Sequence, residues 1–260
     1  MNNTRIERKF SGIIKLYGYE NYQKLQNSHV VIVGIGGVGS WAAEALARSG
    51  IGSLTLVDLD NIAESNINRQ VHSLISTIGK SKVEVMADRI AEINPDCNIH
   101  IVEDFLSLDN ISSTINIKCN SIIDCIDNVN IKVALSLYSI QNNLPLIVCG
   151  SAGGKTDVLK LLSGDISMAT HDPILSKMRN ILRRSYGFPT HIINKKRKKS
   201  IPTMGITAIW FNQQIRIPLL GCEKEFTHNL SCSGYGSIVT VTATMGFVSA
   251  NIALKNILEC

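Results

Sequence analysis

No two of the seven cysteines form a C-x-x-C pair: Cys97, Cys119, Cys125, Cys149, Cys222, Cys232 and Cys260 all stand singly. That argues against a four-cysteine zinc site, and the odd count argues against a disulfide framework. The opening residues, Met1-Asn2-Asn3-Thr4-Arg5, lack the apolar run of a signal peptide. A reducing, cytoplasmic setting is therefore expected. There is no internal repeat, and no Pro- or Gly-rich linker divides the 260 residues. Long apolar runs are also missing. Residues 237–258 approach the length of a membrane span, but Thr240, Thr242, Thr244, Asn251 and Lys255 interrupt them. A buried core or dimer helix fits better, and no stable membrane insertion is expected.

Net charge is a modest +5, unevenly spread. Lys195, Lys196, Arg197, Lys198 and Lys199 are consecutive, with Arg179, Arg183 and Arg184 just upstream. Such a run reads either as a solvated loop or as a contact with the phosphate backbone of a nucleic acid.

The first half of the chain alternates two periodicities. Apolar runs at 29–33, 54–57, 98–102, 120–124 and 145–149 read as strands, and 37–49, 80–93 and 129–142 as helices. Strands apolar on both faces, separated by helices, imply an α/β fold with a doubly wound, mostly parallel sheet. A ligand is then expected beyond the carboxyl ends of the strands. After Gly150 the pattern changes. Residues 172–186 read as an amphipathic helix with Ile174, Leu175, Met178, Ile181 and Leu182 on one side, and 187–202 as a basic loop. Short strands and irregular structure occupy 203–236, before the closing helix. The expected organisation is a nucleotide-binding region over 1–150 and a C-terminal extension over 151–260, in one structural domain.

The run Val31-Ile32-Val33-Gly34-Ile35-Gly36-Gly37-Val38-Gly39-Ser40 carries the strongest chemical signal. Glycines at this spacing let a chain turn tightly after a strand and approach a phosphate at a helix start. The helix end itself offers free N–H groups and a positive dipole. Nineteen residues after Gly39, the strand Leu54-Thr55-Leu56-Val57 ends in Asp58, placed to hold ribose hydroxyls. The residues beyond Asp58 do not fit a dinucleotide dehydrogenase. Arg69 and Lys82 suit a triphosphate, and Asp127, just past the fourth strand, suits a hard cation such as Mg2+.

Through G-x-G-G-x-G, D-x-D, S-N-x-x-R-Q, G-x-x-K and D-x-x-D-N, the chain resembles the Rossmann-like adenylating domain of ubiquitin-activating enzymes and bacterial sulfur-carrier activators. Within that superfamily it is most similar to the tRNA threonylcarbamoyladenosine dehydratase branch. The likeness rests on Leu16-Tyr17-Gly18, residues 34–50, residues 66–72, Ala152-Gly153-Gly154 and the C-terminal V-T-V-T-A-T-M-G-F. The resemblance implies an ATP site at which Gly36 and Gly39 approach the phosphates, with Gly34 and Gly37 in the same turn. It implies that Asp58, with Asp60 of the same motif, serves the ribose side. Asn66, Arg69 and Lys82 would hold the triphosphate, with Gln70 beside them, and Asp127 would take magnesium. Arg69, Lys82 and Asp127 are the catalytic candidates. A homodimer is implied too. Where related enzymes use an N-terminal arginine to complete the partner's site, this chain offers Lys9 and Lys15.

The implied reaction is ATP-dependent cyclisation of threonylcarbamoyladenosine in tRNA through an acyl-adenylate, releasing pyrophosphate and then AMP. It needs no enzyme nucleophile, because proximity drives ring closure. Two other readings stand beside it. One is adenylation of the terminal glycine of a ubiquitin-like sulfur carrier. The other is a non-catalytic nucleotide-binding scaffold in a sulfur relay from a cysteine desulfurase. Cys222 and Cys232 stand as nucleophile candidates beside the structural reading of a single free cysteine.

Overall fold

The computed structural model describes residues 8–115, 118–190, 202–216 and 235–259. Two helices lead, α1 (Ser11–Tyr17) and α2 (Tyr19–Gln26), hinged at Gly18. The core then runs β1 (His29–Val33), α3 (Gly39–Arg48), β2 (Ser53–Val57), α4 (Lys82–Ile93) and β3 (Asn98–Val102). After the single-turn α5 (Ile111–Thr114) come β4 (Ser121–Asp124), α6 (Val129–Gln141) and β5 (Leu146–Cys149). The remainder is β6 (Leu161–Asp165), α7 (Pro173–Tyr186), β7 (Thr207–Phe211) and α8 (Val239–Leu258).

Seven strands form one sheet in the order β3-β2-β1-β4-β5-β7-β6, parallel except for β6, which runs antiparallel to β7. The chain builds outward from β1 to β3, then returns to lay β4 on the other side of β1. That reversal opens a crevice at the carboxyl ends of β1 and β4.

Because strand side chains alternate, each strand feeds two cores. Val30, Ile32, Leu54, Leu56, Ile123 and Ile147 face α3, α4 and α8. Val31, Val33, Val57, Ile122 and Val148 face α6 and α7. Each fully buried aliphatic side chain contributes about 1.5–3 kcal/mol, which makes these strands the rigid base of the crevice.

One expectation needs correction. The third strand is not apolar on both faces: Asn98, His100 and Ile101 are exposed, because β3 is a sheet edge with one neighbour. β6 carries no strand pattern of its own. Leu161-Leu162-Ser163-Gly164-Asp165 lacks β-branched residues and holds a glycine. It pairs nonetheless, since Asp165 turns back to accept N–H bonds from Met204 (3.0 Å) and Gly205 (2.7 Å) at the entry to β7.

α8 is long and apolar enough to cross a membrane by length and composition, yet 56% of that stretch is buried inside the fold. It lies tight against α3: a Cβ on Gly246 would stand 2.6 Å from the Val38 carbonyl oxygen. The Trp41 and Phe247 rings meet edge to face at 5.8 Å beside that contact.

Candidate active site

The crevice is a cavity of about 540 Å3. Its wall takes Gly34, Gly36 and Gly37 from the turn after β1, Asp58 and Asp60 from the end of β2, and Arg69, Gln70 and Lys82 from the crossover to α4. Asp127 and Asn128 close the far side after β4, and Gly150 to Ala152 after β5. Gly34, Gly36, Gly37, Asp58, Asp60, Arg69, Gln70, Lys82 and Asp127 thus share one cavity.

The glycines divide by task. Gly34 needs its freedom: φ is +89°, and a Cβ would stand 3.1 Å from the Cys125 carbonyl carbon. A Cβ on Gly39 would stand 1.8 Å from the Gly34 carbonyl oxygen, so this glycine locks α3 against the turn. Gly36 differs from both. A Cβ there would meet only Gln70 Nε2, at 3.8 Å, and would project into open cavity. Its missing side chain leaves room for a ligand against the backbone.

Asp58 ties the turn to the wall. Its Oδ2 accepts the Ile35 N–H at 2.7 Å and its Oδ1 the Asp60 N–H at 2.9 Å. Burial pushes the Asp58 carboxyl up, with nearby Lys82 pulling the other way. Lys82, the first residue of α4, is buried with its Nζ 2.6 Å from Asp60 Oδ2. The Arg69 guanidinium donates from Nη1 to the Ser65 carbonyl (2.7 Å) and Asn68 Oδ1 (2.9 Å). Its main-chain carbonyl accepts the Trp41 indole N–H at 2.9 Å, which fixes the crossover to α3. Gln70 is buried, and its Oε1 has no partner among the described residues.

Asp127 is exposed, and Asn128 beside it caps α6, accepting N–H bonds from Asn130 (3.0 Å) and Ile131 (3.3 Å). Among the described residues no cluster of three metal-ligating side chains occurs. A cation at Asp127 would therefore draw its other oxygens from phosphate and water, as magnesium commonly does.

Two motif residues lie off the wall. Gly39 serves helix packing. Asn66 is buried, and its Oδ1 accepts the Ala63 N–H at 3.1 Å, holding the loop that carries Arg69. The cationic run 195–199 lies outside the described residues, as do Cys222 and Cys232. The first carboxylate of D-x-x-D, Asp124, was not singled out by its spacing. It is wholly buried, and Lys132 Nζ reaches its Oδ1 at 2.9 Å and the Cys149 carbonyl at 2.9 Å. This pair joins the ends of β4 and β5 beneath the cavity floor. The one signal for it was a lysine in the otherwise apolar stretch of α6. Sequence reading also missed Asp172, which caps α7 and accepts the Ser151 N–H at 2.7 Å on the cavity wall. Phe105 and Leu106, beyond β3, form an apolar rim.

Residues 9–260 match the ThiF family. A tRNA threonylcarbamoyladenosine dehydratase of Haemophilus influenzae is 41% identical over 255 residues, covering 97% of this chain and 94% of that protein. The crystal structure of the Escherichia coli tRNA N6-threonylcarbamoyladenosine dehydratase in complex with ATP superposes with a TM-score of 0.85. Its identity is 37%, and the match covers 97% of this chain and 95% of that one. A molybdopterin-synthase adenylyltransferase of Salmonella typhimurium is 36% identical over 135 residues, covering only 52% of this chain and 54% of that protein.

Proposed function

The chain belongs to the ThiF family, and from that premise we propose that it is an ATP-dependent tRNA threonylcarbamoyladenosine dehydratase. The observation that carries the reading is a cavity holding an open glycine turn, a ribose-side carboxylate and two cations together. The dehydratase likeness reaches 97% of this chain, whereas two molybdopterin-synthase adenylyltransferases match 52% and 65% of it. That difference favours a tRNA substrate over a ubiquitin-like carrier.

In this reading the Gly36 and Gly37 N–H groups face the phosphates, and Asp58 accepts from the ribose hydroxyls. The apolar rim of Phe105 and Leu106 suits a purine face. Arg69 and Lys82 offset charge on the triphosphate as it builds in the transition state. Asp127 would hold magnesium, which offsets phosphate charge when bound. The room at Gly36 and the unpartnered Gln70 Oε1 fit such an occupant.

The threonyl carboxylate attacks the α-phosphate, and pyrophosphate leaves. The neighbouring carbamoyl oxygen then attacks the activated carbonyl carbon, a proton is lost from the carbamoyl nitrogen, and AMP departs as the five-membered ring closes. Two reacting groups held on one nucleoside supply the effective concentration that ring closure needs.

A homodimer, with Lys9 or Lys15 reaching the partner's site, and phosphate contacts from 195–199 belong to the same proposal. So do a cytoplasmic location and a cysteine desulfurase sulfur-relay protein as a further partner. The free thiols of Cys97, Cys119, Cys125 and Cys149 suit a reducing compartment.

Pyrophosphate release tests the proposal, measured with threonylcarbamoyladenosine-bearing tRNA, with a ubiquitin-like protein and with neither. Release is expected with the tRNA alone. Release with the carrier protein instead would overturn the assignment. Asp127→Ala should lower magnesium-dependent turnover by about 100-fold or more. Stability should stay within about 0.5 kcal/mol, because the side chain is exposed.

A further inference from the structure

Ten of the 26 lysines and arginines fall between Pro173 and Cys222, a span without a single aspartate or glutamate. The rest of the chain is net acidic. α7 opens this span. Ile174, Leu175, Met178 and Leu182 bury one side of it in the core that it shares with α6. Lys177, Asn180 and Arg184, spaced i, i+3 and i+7, are exposed on the other.

The four cations of α7 are not equivalent. Arg179 is turned inward and donates to the Ile166 and Ala169 carbonyls. Arg183 donates from Nε to the Pro189 carbonyl at 3.1 Å. Lys177 and Arg184 make no hydrogen bond or ion pair among the described residues. Two turns separate them, about 10 Å along the helix axis.

On the opposite side of the sheet, one helix carries a stripe of the opposite charge. α4 packs there through Val83, Met86 and Ile90, and exposes Glu84, Asp88 and Glu92 at i, i+4 and i+8. A polyanion is repelled by the α4 stripe and attracted to the α7 stripe.

α7 also begins at the cavity. Its cap Asp172 holds the Ser151 N–H, Ile174 lines the cavity, and Lys177 comes one turn later. We infer that the outer stripe of α7, Lys177–Asn180–Arg184, is a docking rail for the phosphate backbone of the tRNA whose modified nucleoside enters the cavity. This rests on the proposed tRNA substrate. The rail runs away from the cavity mouth, so the nucleoside enters at its start while the adjoining stem lies along the helix. Lysine and arginine heads bind phosphate by charge, and the Asn180 amide adds a neutral donor between them.

The test is tRNA affinity over a salt series for wild type, for Lys177→Gln/Arg184→Gln, and for Glu84→Gln/Asp88→Asn on the far side. ATP affinity and melting temperature serve as controls. The α7 variant should bind tRNA about ten-fold more weakly, with a log–log salt slope smaller by about 1.4–1.8. Its ATP affinity and melting temperature should match wild type, and the α4 variant should not bind tRNA more weakly. An α7 variant with wild-type affinity and slope, while wild type binds and turns over tRNA, overturns the rail and leaves the function standing. A stripe that governs binding to heparin or anionic vesicles but not to tRNA overturns it as well. Wild type that neither binds tRNA nor releases pyrophosphate with it overturns the function itself.

Discussion

Lys82 Nζ lies 2.6 Å from Asp60 Oδ2 and 4.0 Å from Asp58 Oδ1, although the Asp60 side chain is 54% exposed and the lysine 7%. The lysine is thus held in place by a carboxylate that solvent already shares. An incoming triphosphate can take over the ammonium at modest cost, because the Asp60 carboxylate it displaces is half hydrated.

This arrangement separates two variants. Lys82→Ala should lower kcat/KM for ATP by about 100-fold. Asp60→Asn should change it by less than about 10-fold, since the lysine keeps its charge and Asp58 as a neighbour. Steady-state kinetics of both decides. A larger loss for Asp60→Asn would make that carboxylate, rather than the lysine, the functional group.

The glycine turn yields a pair of opposite outcomes. Gly39→Ala drives a methyl group into the Gly34 carbonyl and should cost more than about 3 kcal/mol of stability. Gly36→Ala meets only Gln70 Nε2, so stability should change by less than about 1 kcal/mol. ATP affinity should nevertheless fall at least about 10-fold, as the methyl occupies ligand space. Urea denaturation and calorimetry measure the two quantities separately. Normal ATP binding by Gly36→Ala would remove the turn from the site.

Motif membership and a place on the cavity wall are separate properties, and only the first is visible in a sequence. Val30 to Val33 and Leu54 to Val57 are legible as strands because contiguous branched residues suit a strand buried on both sides. The glycine spacing is legible because turn geometry depends on adjacent residues. Gly39 and Asn66 share the same motifs but are not part of the cavity wall, one packed on a carbonyl and the other holding a loop. The Asp124–Lys132 pair was illegible for a different reason. Its two ends come from a strand terminus and a helix interior, and only packing brings them together. Asp172 reaches Ser151 across 21 residues on the same terms.

Lys132→Met should destabilise the protein by about 3–5 kcal/mol, because it leaves Asp124 charged and unpaired in the core. Asp124→Leu together with Lys132→Met should recover much of that loss. Chemical denaturation of the single and double variants makes the comparison. A double variant no more stable than the single would mean that the lost bonds to the Asp124 and Cys149 carbonyls dominate.

His72 adds a pH dependence. Burial first, and then the charges of Lys82 and Arg89, hold its imidazole down to about 4. Neither ring nitrogen has a partner among the described residues. The unfolded chain, titrating near 6.5, takes up a proton that the folded one refuses. Stability from this group is complete above about pH 6.5 and is lost as the pH falls towards 4, by about 2 kcal/mol at pH 5. Urea midpoints for wild type and His72→Gln at about pH 7.5 and about pH 5 test this. The variant should lose about 2 kcal/mol less between the two, and equal losses would show that folded His72 takes up its proton as readily as the unfolded chain does.

The contact between α3 and α8 sets an order of events during synthesis. Thr242 bonds back to the Arg69 carbonyl across 173 residues, and Gly246 lies on the Val38 carbonyl. At about 5–20 residues per second, the nascent chain carries the uncovered face of α3 for roughly 10–40 seconds before α8 exists to close it. β1, β2 and the glycine turn can form on the ribosome in that time, but the α3 side of the sheet stays open. A ribosome stalled before α8 would display Ala42, Ala43 and Leu46 to other chains, so the slot that lets two helices pack so closely is also where an unfinished molecule is most prone to aggregate.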